Sequence, residues 1–196
     1  MVERLKSLPP TFATAQARAA GIPSAALAVL RERGLVDELS RGVFRRADAA
    51  ETPHVDLLAV TVRAPASVVC VESALALHEL IDDIPFQVQI AVPRGAHRPH
   101  IGYPPVKIWQ FDPRTFDAGR ERFEGSAGEF VPVYSAARSV VDAMRLRHLV
   151  GETLALGALG RYLRRLGQPG VAELEEFAVL LGVAGPVRSA VEAVLA

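Results

Sequence analysis

Residues 13–46 read ATAQARAAGIPSAALAVLRERGLVDELSRGVFRR, and this stretch decides the fold of the N-terminal region. Ala17 and Gly21 are spaced as in two short helices joined by a tight turn. The small Ala17 lies where the helices cross closely, and Gly21 lies in the turn. Glycine adopts a positive φ there without strain. Four of the five positions that such a pair buries are apolar, with the polar Gln16 as the departure: Ala20, Ile22, Leu27 and Leu30. The spacing predicts a helix-turn-helix.

The residues on either side extend this motif. Ser24 follows Pro23 and is expected to cap the second helix, which ends at Gly34. Two strands, Leu35–Leu39 and Val43–Phe44, are predicted to follow as a hairpin, or wing. A short first helix over Val2–Leu8 completes a three-helix module. The sequence therefore predicts a winged helix-turn-helix.

Charge is distributed unevenly along the chain. Residues 1–46 contain eight basic and four acidic residues, a net charge of +4. Because the whole chain is neutral, residues 47–196 carry −4. Arginine concentrated in one small module is typical of contacts with nucleic-acid phosphates. A winged helix also serves as a protein-docking or dimerisation module, and the sequence alone leaves that alternative open.

The candidate DNA contacts lie on the two helices and the wing. Arg41 and Arg45 flank Gly42, Val43 and Phe44, and are expected to face DNA because Val43 and Phe44 are expected in the core. The second helix offers few groups that read bases, since its exposed positions hold mainly alanine and Val29. The candidate DNA-binding residues are Thr14, Arg18, Ser24, Arg31, Arg33, Arg41, Arg45 and Arg46.

The remaining residues indicate an α+β protein with a second, mixed domain. Alternation predicts strands at Phe86–Val92 and Val106–Phe111, and a pair at Arg120–Phe123 and Glu129–Tyr134. Helical periodicity predicts helices at Val55–Arg63, Glu72–Leu80, Ser135–Leu146, Glu152–Leu166, Val171–Leu181 and Pro186–Leu195. Residues 1–50 are therefore expected to form the DNA-binding domain and residues 51–196 an α+β domain that ends in four helices. The linker is expected at Arg46–Pro53.

Other candidate chemistry is sparse. The single cysteine, Cys70, lies in an apolar run and is expected in the core. His97 and His100 have a spacing that binds zinc on a helix, but prolines surround them and no third ligand is near. Asp82 and Asp83 follow His78-Glu79 and suggest a solvated helix end more than a metal site. No phosphate-cradling glycine motif occurs, so nucleotide sites of that kind are not expected. We expect neither a metal nor a cofactor. With no signal peptide and no apolar membrane span, we expect a cytoplasmic protein.

Several segments resemble the AbiEi family of antitoxins. In the N-terminal region these are residues 12–21, residues 30–36 and the wing Arg41-Gly42-Val43-Phe44-Arg45. In the body they are Val71–His78, Val88–Pro93 and Val133–Asp142, where Ala137 stands in place of the residue, such as proline, that usually precedes the arginine.

The resemblance implies an antitoxin, encoded beside a nucleotidyltransferase-like toxin and active in phage defence, that represses its own operon by binding inverted repeats in the promoter. Residues 1–46 would supply the DNA surface and residues 55–196 would counteract the toxin. The protein would be a monomer or weak dimer that pairs on DNA. A non-enzymatic role is favoured. The alternative is an antitoxin that inactivates the toxin enzymatically, for example as an atypical protein kinase that phosphorylates it.

Overall fold

The structure is a computed structural model that describes residues 2–195. Within these residues the chain is α+β, as predicted. The helices are α1 (Val2–Lys6), α2 (Thr14–Ala19), α3 (Ser24–Glu32), α4 (Val55–Arg63), α5 (Val71–Leu77), α6 (Ala136–Arg145), α7 (Arg147–Val150), α8 (Glu152–Leu166), α9 (Gln168–Leu180) and α10 (Ala184–Leu195). The strands are β1 (Thr11–Ala13), β2 (Val36–Ser40), β3 (Val43–Arg46), β4 (Val68–Val69), β5 (Val88–Pro93), β6 (Val106–Phe111), β7 (Arg120–Ser126) and β8 (Glu129–Tyr134).

The chain divides into two compact units. The first contains residues 1–67, 97–106 and 122–132, and the second contains residues 68–96, 107–121 and 133–196. The first unit therefore includes more than the winged module, because α4 and most of the β7–β8 hairpin belong to it. The functional division into residues 1–50 and 51–196 stays a prediction.

The predicted helix-turn-helix forms the core of the first unit. Leu5, Ala17, Ile22, Leu27 and Leu30 are almost fully buried in one apolar cluster. Ala20 is partly buried against the cluster and Gln16 is exposed, where its side-chain oxygen accepts a hydrogen bond from the Ala13 amide at 2.7 Å. Gln16, the polar residue in this otherwise apolar pattern, thus stabilises the start of α2.

A three-stranded antiparallel sheet with the order β1-β3-β2 lies beside these helices. β2 and β3 form the predicted wing, with an irregular register between Glu38 and Ser40. The pattern did not predict β1, a three-residue strand in which Phe12 pairs with Phe44 across the sheet. Helix α4 packs against all three strands, so the sheet is covered on a second face.

The second unit combines a mixed sheet with a helical bundle. β4 pairs antiparallel with β5 and parallel with β8. Helix α6 lies centrally among α5, α8 and α9, and its residues from Ala137 to Met144 are all buried. Its N-cap is the predicted Ser135, whose hydroxyl accepts a hydrogen bond from the Arg138 amide at 3.3 Å.

The helices and strands predicted from Val55 onward form, with bounds that differ from the predicted ones by up to three residues. The strand predicted from Phe86 begins at Val88, and Phe86 is 89% exposed. A short helix, α7, precedes α8 and was not predicted. Among the described residues, no helix is both long and apolar enough to cross a membrane.

Candidate nucleic-acid interface

The turn between α2 and α3 has the geometry that the sequence predicts. Gly21 has φ +76°, in the left-handed region that favours glycine. The amide of Ile22 donates to the carbonyl of Ala17 at 2.9 Å, and the Arg4 guanidinium donates to the carbonyl of Gly21 at 3.0 Å. A β-carbon added to Gly21 would lie 3.0 Å from this guanidinium. The turn is therefore fixed by its own backbone and by α1.

Helix α3 presents small side chains to solvent. Leu27 and Leu30 face the core, whereas Ala25, Ala28 and Val29 are exposed. The expectation that Ser24 caps the helix is wrong. The N-cap is Pro23, whose carbonyl accepts from the Ala26 amide at 2.9 Å, and Ser24 is the first helical residue, with an exposed side chain.

The wing turn is held by a network centred on Gly42. The Thr14 amide and hydroxyl both donate to the Gly42 carbonyl, at 2.9 and 3.1 Å. The Gly42 amide donates to one carboxylate oxygen of Glu38 at 3.1 Å, and Arg31 donates to the other at 2.6 Å. Since Arg18 lies one helical turn after Thr14 on α2, the wing turn and the Arg18 face of α2 lie on the same side of the module.

Three of the candidate arginines are free to contact a ligand. Arg18, Arg33 and Arg41 are exposed, and no side-chain partner is found for them among residues 2–195. Arg31 is also exposed, although it is paired with Glu38. Exposed ion pairs contribute little to stability, so a phosphate group can replace this carboxylate at small cost.

The expectation that Arg45 lies on the exposed side of the wing is wrong. Its side chain is 8% exposed, and its guanidinium is 2.6 Å from a carboxylate oxygen of Glu129, which is 7% exposed. The same guanidinium donates to the Thr11 hydroxyl, the Ala50 carbonyl and the Ser126 hydroxyl at 2.6, 2.7 and 3.2 Å. We call this arrangement the Arg45 clasp.

The physical reason for the clasp is that both faces of β3 are covered. Phe44 packs in the helix-turn-helix cluster, and Val43 and Arg45 alternate onto the opposite face of the sheet. Helix α4 packs against β3, and Arg45 binds Glu129 and Ser126 of the β7–β8 hairpin. The buried Val43 was the available signal, because residues two apart on a strand share a face. Arg45 is not carried into the proposed DNA surface.

Arg46 has a partly structural role. Its guanidinium binds the Asp48 carboxylate at 2.7 Å and donates to the carbonyls of Lys6 and Leu8 at 3.1 and 3.0 Å. The hydrogen bond from Arg46 holds the pKa of Asp48 below its usual range. The Arg46–Pro53 segment is thus a connection fixed by contacts within the first unit, which also include a hydrogen bond from the Thr52 hydroxyl to the Gly125 carbonyl.

The remaining candidate residues have ordinary structural environments. Cys70 is fully buried, and burial raises the pKa of its thiol well above the usual range. His97 and His100 are exposed in a loop. Asp82 is paired with Arg161. Among residues 2–195, no group of three or more His, Cys, Asp and Glu side chains is arranged to hold a metal ion.

Comparison with known proteins supports the resemblance at the N-terminus. Residues 1–47 match the family model described as "Transcriptional regulator, AbiEi antitoxin". The resemblance to this antitoxin family is therefore confirmed over these residues, and its extension through residues 48–196 stays a prediction. A search of curated proteins found no match.

The fold as a whole is similar to a solved structure. The crystal structure of the RV2827C protein from Mycobacterium tuberculosis matches with a TM-score of 0.59 at 15% identity. The match covers 99% of this chain and 78% of that one. At this identity the likeness concerns the fold.

Proposed function

We propose that this protein is the antitoxin of a toxin–antitoxin system and that it represses its own operon by binding inverted repeats in the promoter. The observation that carries the proposal is the match of residues 1–47 to the AbiEi transcriptional regulators. The exposed Arg18, Arg33 and Arg41 on that module support phosphate contacts. The net charge of +4 within residues 1–46 supports the same conclusion.

Two copies of the module are needed for specific binding. The exposed face of α3 has one hydroxyl, that of Ser24, among alanines and a valine, so one copy makes few polar contacts with base edges. The proposed operator therefore contains two half-sites separated by about one helical turn of DNA, or a multiple of it. A weak dimer, or two monomers that bind cooperatively, satisfies this arrangement.

The region after the winged module is proposed to counteract a nucleotidyltransferase-like toxin. Three modes of neutralisation are compatible with this proposal: direct binding of the toxin, its enzymatic inactivation, for example by phosphorylation, and competition at the toxin's target. A gene for a nucleotidyltransferase-like protein directly beside this one would support the assignment, and its absence would count against it.

The test uses the full chain and promoter DNA in a gel-shift titration at several salt concentrations. The double variant Arg18→Ala/Arg41→Ala should bind more weakly and reduce the salt slope by about two, at roughly one per lost phosphate contact. The matched control is Arg164→Ala, which removes an exposed arginine from α8 and should leave the slope unchanged. An unchanged slope in the double variant, with its fold intact by circular dichroism, would refute the DNA surface.

The same double variant separates repression from neutralisation. In cells with the neighbouring toxin gene and a promoter reporter, it should rescue growth while repression is lost. Rescue that depends on Arg18 and Arg41 would show that neutralisation acts through DNA or through the winged module. Full-length variants are preferred to a fragment of residues 50–196, because that fragment lacks Arg45 and leaves Glu129 without its ion-pair partner.

A second function is favoured by one observation, the small apolar face of α3. Ala25, Ala28 and Val29 suit close packing against another protein. If the module docks a protein instead of DNA, Val29→Glu should abolish that association. In the gel-shift titration, the parent and Arg18→Ala/Arg41→Ala would then bind promoter DNA equally weakly.

A further inference from the structure

The second unit contains an open cavity of about 540 Å³. Its wall includes Arg138 and Arg145 of α6, Phe111 at the end of β6 and Leu180 at the end of α9. Arg94, which follows β5, also lines it, and its side chain is exposed. This volume lies in the range of small-molecule sites. The cavity plays no part in the proposed DNA surface.

The two α6 arginines are held in place by a single carboxylate. Asp142 is fully buried, and its two oxygens accept from Arg138 at 2.9 Å and from Arg145 at 2.7 Å. Arg138 also donates to the carbonyls of Thr115 and Ala118, each at 2.9 Å. Both guanidiniums are therefore fixed before any ligand binds, which lowers the entropic cost of binding.

Each of these arginines has one buried nitrogen that makes no hydrogen bond to residues 2–195. These nitrogens are the Nη2 of Arg138 and the Nε of Arg145. Arg138 is itself fully buried. Buried charged donors are normally satisfied, and leaving one unpaired is unfavourable. Both arginines line the same cavity, and this points to an acceptor that binds there.

The charge of the cavity favours an anion. Arg94, Arg138 and Arg145 line it, and Asp142 offsets one of the three charges. A second acid, Asp112, is committed to Arg114, whose hydrogen bonds lower the pKa of Asp112 to about 2. The cavity is thus net positive within a region, residues 47–196, whose net charge is −4.

We propose that this cavity binds the phosphate group of a small phosphorylated molecule. The free N–H groups belong to different guanidiniums, and Arg94 adds a third cation at the rim. A phosphate monoester has three terminal oxygens to share among them, whereas a carboxylate has two. Guanidinium groups bind phosphate strongly because their donors are charged and planar. Leu180 and Phe111 provide apolar contact for the body of the ligand.

The test is isothermal titration calorimetry of the full chain with inorganic phosphate, diphosphate and acetate at constant ionic strength. Phosphate and diphosphate should bind at one site, and acetate should bind at least about tenfold more weakly. Arg145→Lys keeps the charge but removes the Nε donor, and should weaken phosphate binding about tenfold. Arg94→Ala should weaken it by a smaller factor, because its side chain is exposed.

One control variant makes the result specific. Arg164→Ala removes an exposed arginine outside the cavity and should bind phosphate like the parent. Arg41→Ala, in the proposed DNA surface, is used only to test whether the anion binds at the wing instead. The proposal is overturned if no anion binds, if acetate binds as tightly as phosphate, or if Arg145→Lys binds like the control. Loss of binding in Arg41→Ala alone would place the anion on the wing and likewise overturn it.

Discussion

The two units each bury an arginine against a carboxylate, but they use the pair differently. In the first unit, Arg45 donates four hydrogen bonds and its partner Glu129 also accepts from the Thr11 amide at 2.8 Å. In the second, Arg138 and Arg145 share Asp142, and each keeps a buried donor that finds no partner among residues 2–195. A buried arginine whose donors are used fixes structure, whereas one with a spare donor beside a cavity is prepared for a ligand.

The largest effect is expected when the Arg45 clasp is broken. Arg45→Met leaves the Glu129 carboxylate buried without its counter-charge, which should lower the free energy of unfolding by about 3–5 kcal/mol. Urea denaturation followed by circular dichroism measures the loss. Arg41→Met, at an exposed wing position, is the matched control and should change stability by about 0.5 kcal/mol or less.

A double variant tests the origin of that loss. Arg45→Met/Glu129→Leu removes both charges and should recover most of the stability, since apolar replacement of a whole buried pair is often neutral or stabilising. A double variant no more stable than the single one would show that the Thr11, Ser126 and Ala50 contacts, and not the charge pair, hold this region.

A smaller loss is expected in the second unit. Arg138→Met should lower the free energy of unfolding by about 2–3 kcal/mol, because Asp142 keeps its contact with Arg145. At phosphate tenfold above its Kd, the parent and Arg45→Met should each gain about 1.4 kcal/mol, and Arg138→Met should gain little. Equal phosphate stabilisation in all three proteins would remove the distinction between the two arginine sites.

The smallest effect concerns the edge of the cavity. In the parent, Arg114 holds the pKa of Asp112 at about 2, so this carboxylate stays charged as the pH falls through its ordinary value of 3.8. In Arg114→Ala the pKa should rise towards 3.8, and Asp112 should become protonated between pH 4 and 2. Carbon-13 NMR titration of the Asp112 carboxyl measures the change. Phosphate affinity at pH 7 should fall about two- to threefold, because the negative charge of Asp112 is then no longer offset by Arg114. An unchanged pKa would show that Arg114 does not control this charge.

Local spacing explains why the helix-turn-helix was predictable. The Gly21 turn, the small residue Ala17 and the buried Leu27 and Leu30 all lie within about 15 residues, so their pattern reports directly on the packing of α2 and α3. The strand β6 was predicted with its observed bounds, Val106–Phe111. The β5 prediction began two residues early because alternation continues to Phe86, beyond the residues that pair with a neighbouring strand.

The environments of the two buried arginines were less predictable because they depend on distant residues. Arg45 has the sequence surroundings of an exposed wing residue, but its partner Glu129 is 84 positions away. Arg138 and Asp142 were visible as an i, i+4 pair, but the cavity beside them needs the chain near Phe111 and Leu180 as well. Sequence pattern identifies which face of an element is apolar, and does not identify which other element covers it.

The separation between Arg45 and Glu129 has a consequence for biosynthesis. At roughly 5–20 residues per second, a ribosome adds the 84 residues from Arg46 to Glu129 in about 4–17 s. Throughout that interval Arg45 has been synthesised but its counter-charge has not, and the β7–β8 hairpin that supplies it is incomplete. Maturation of the first unit therefore waits for residue 129, and a chain truncated before it leaves this unit unfinished and open to capture by chaperones or proteases.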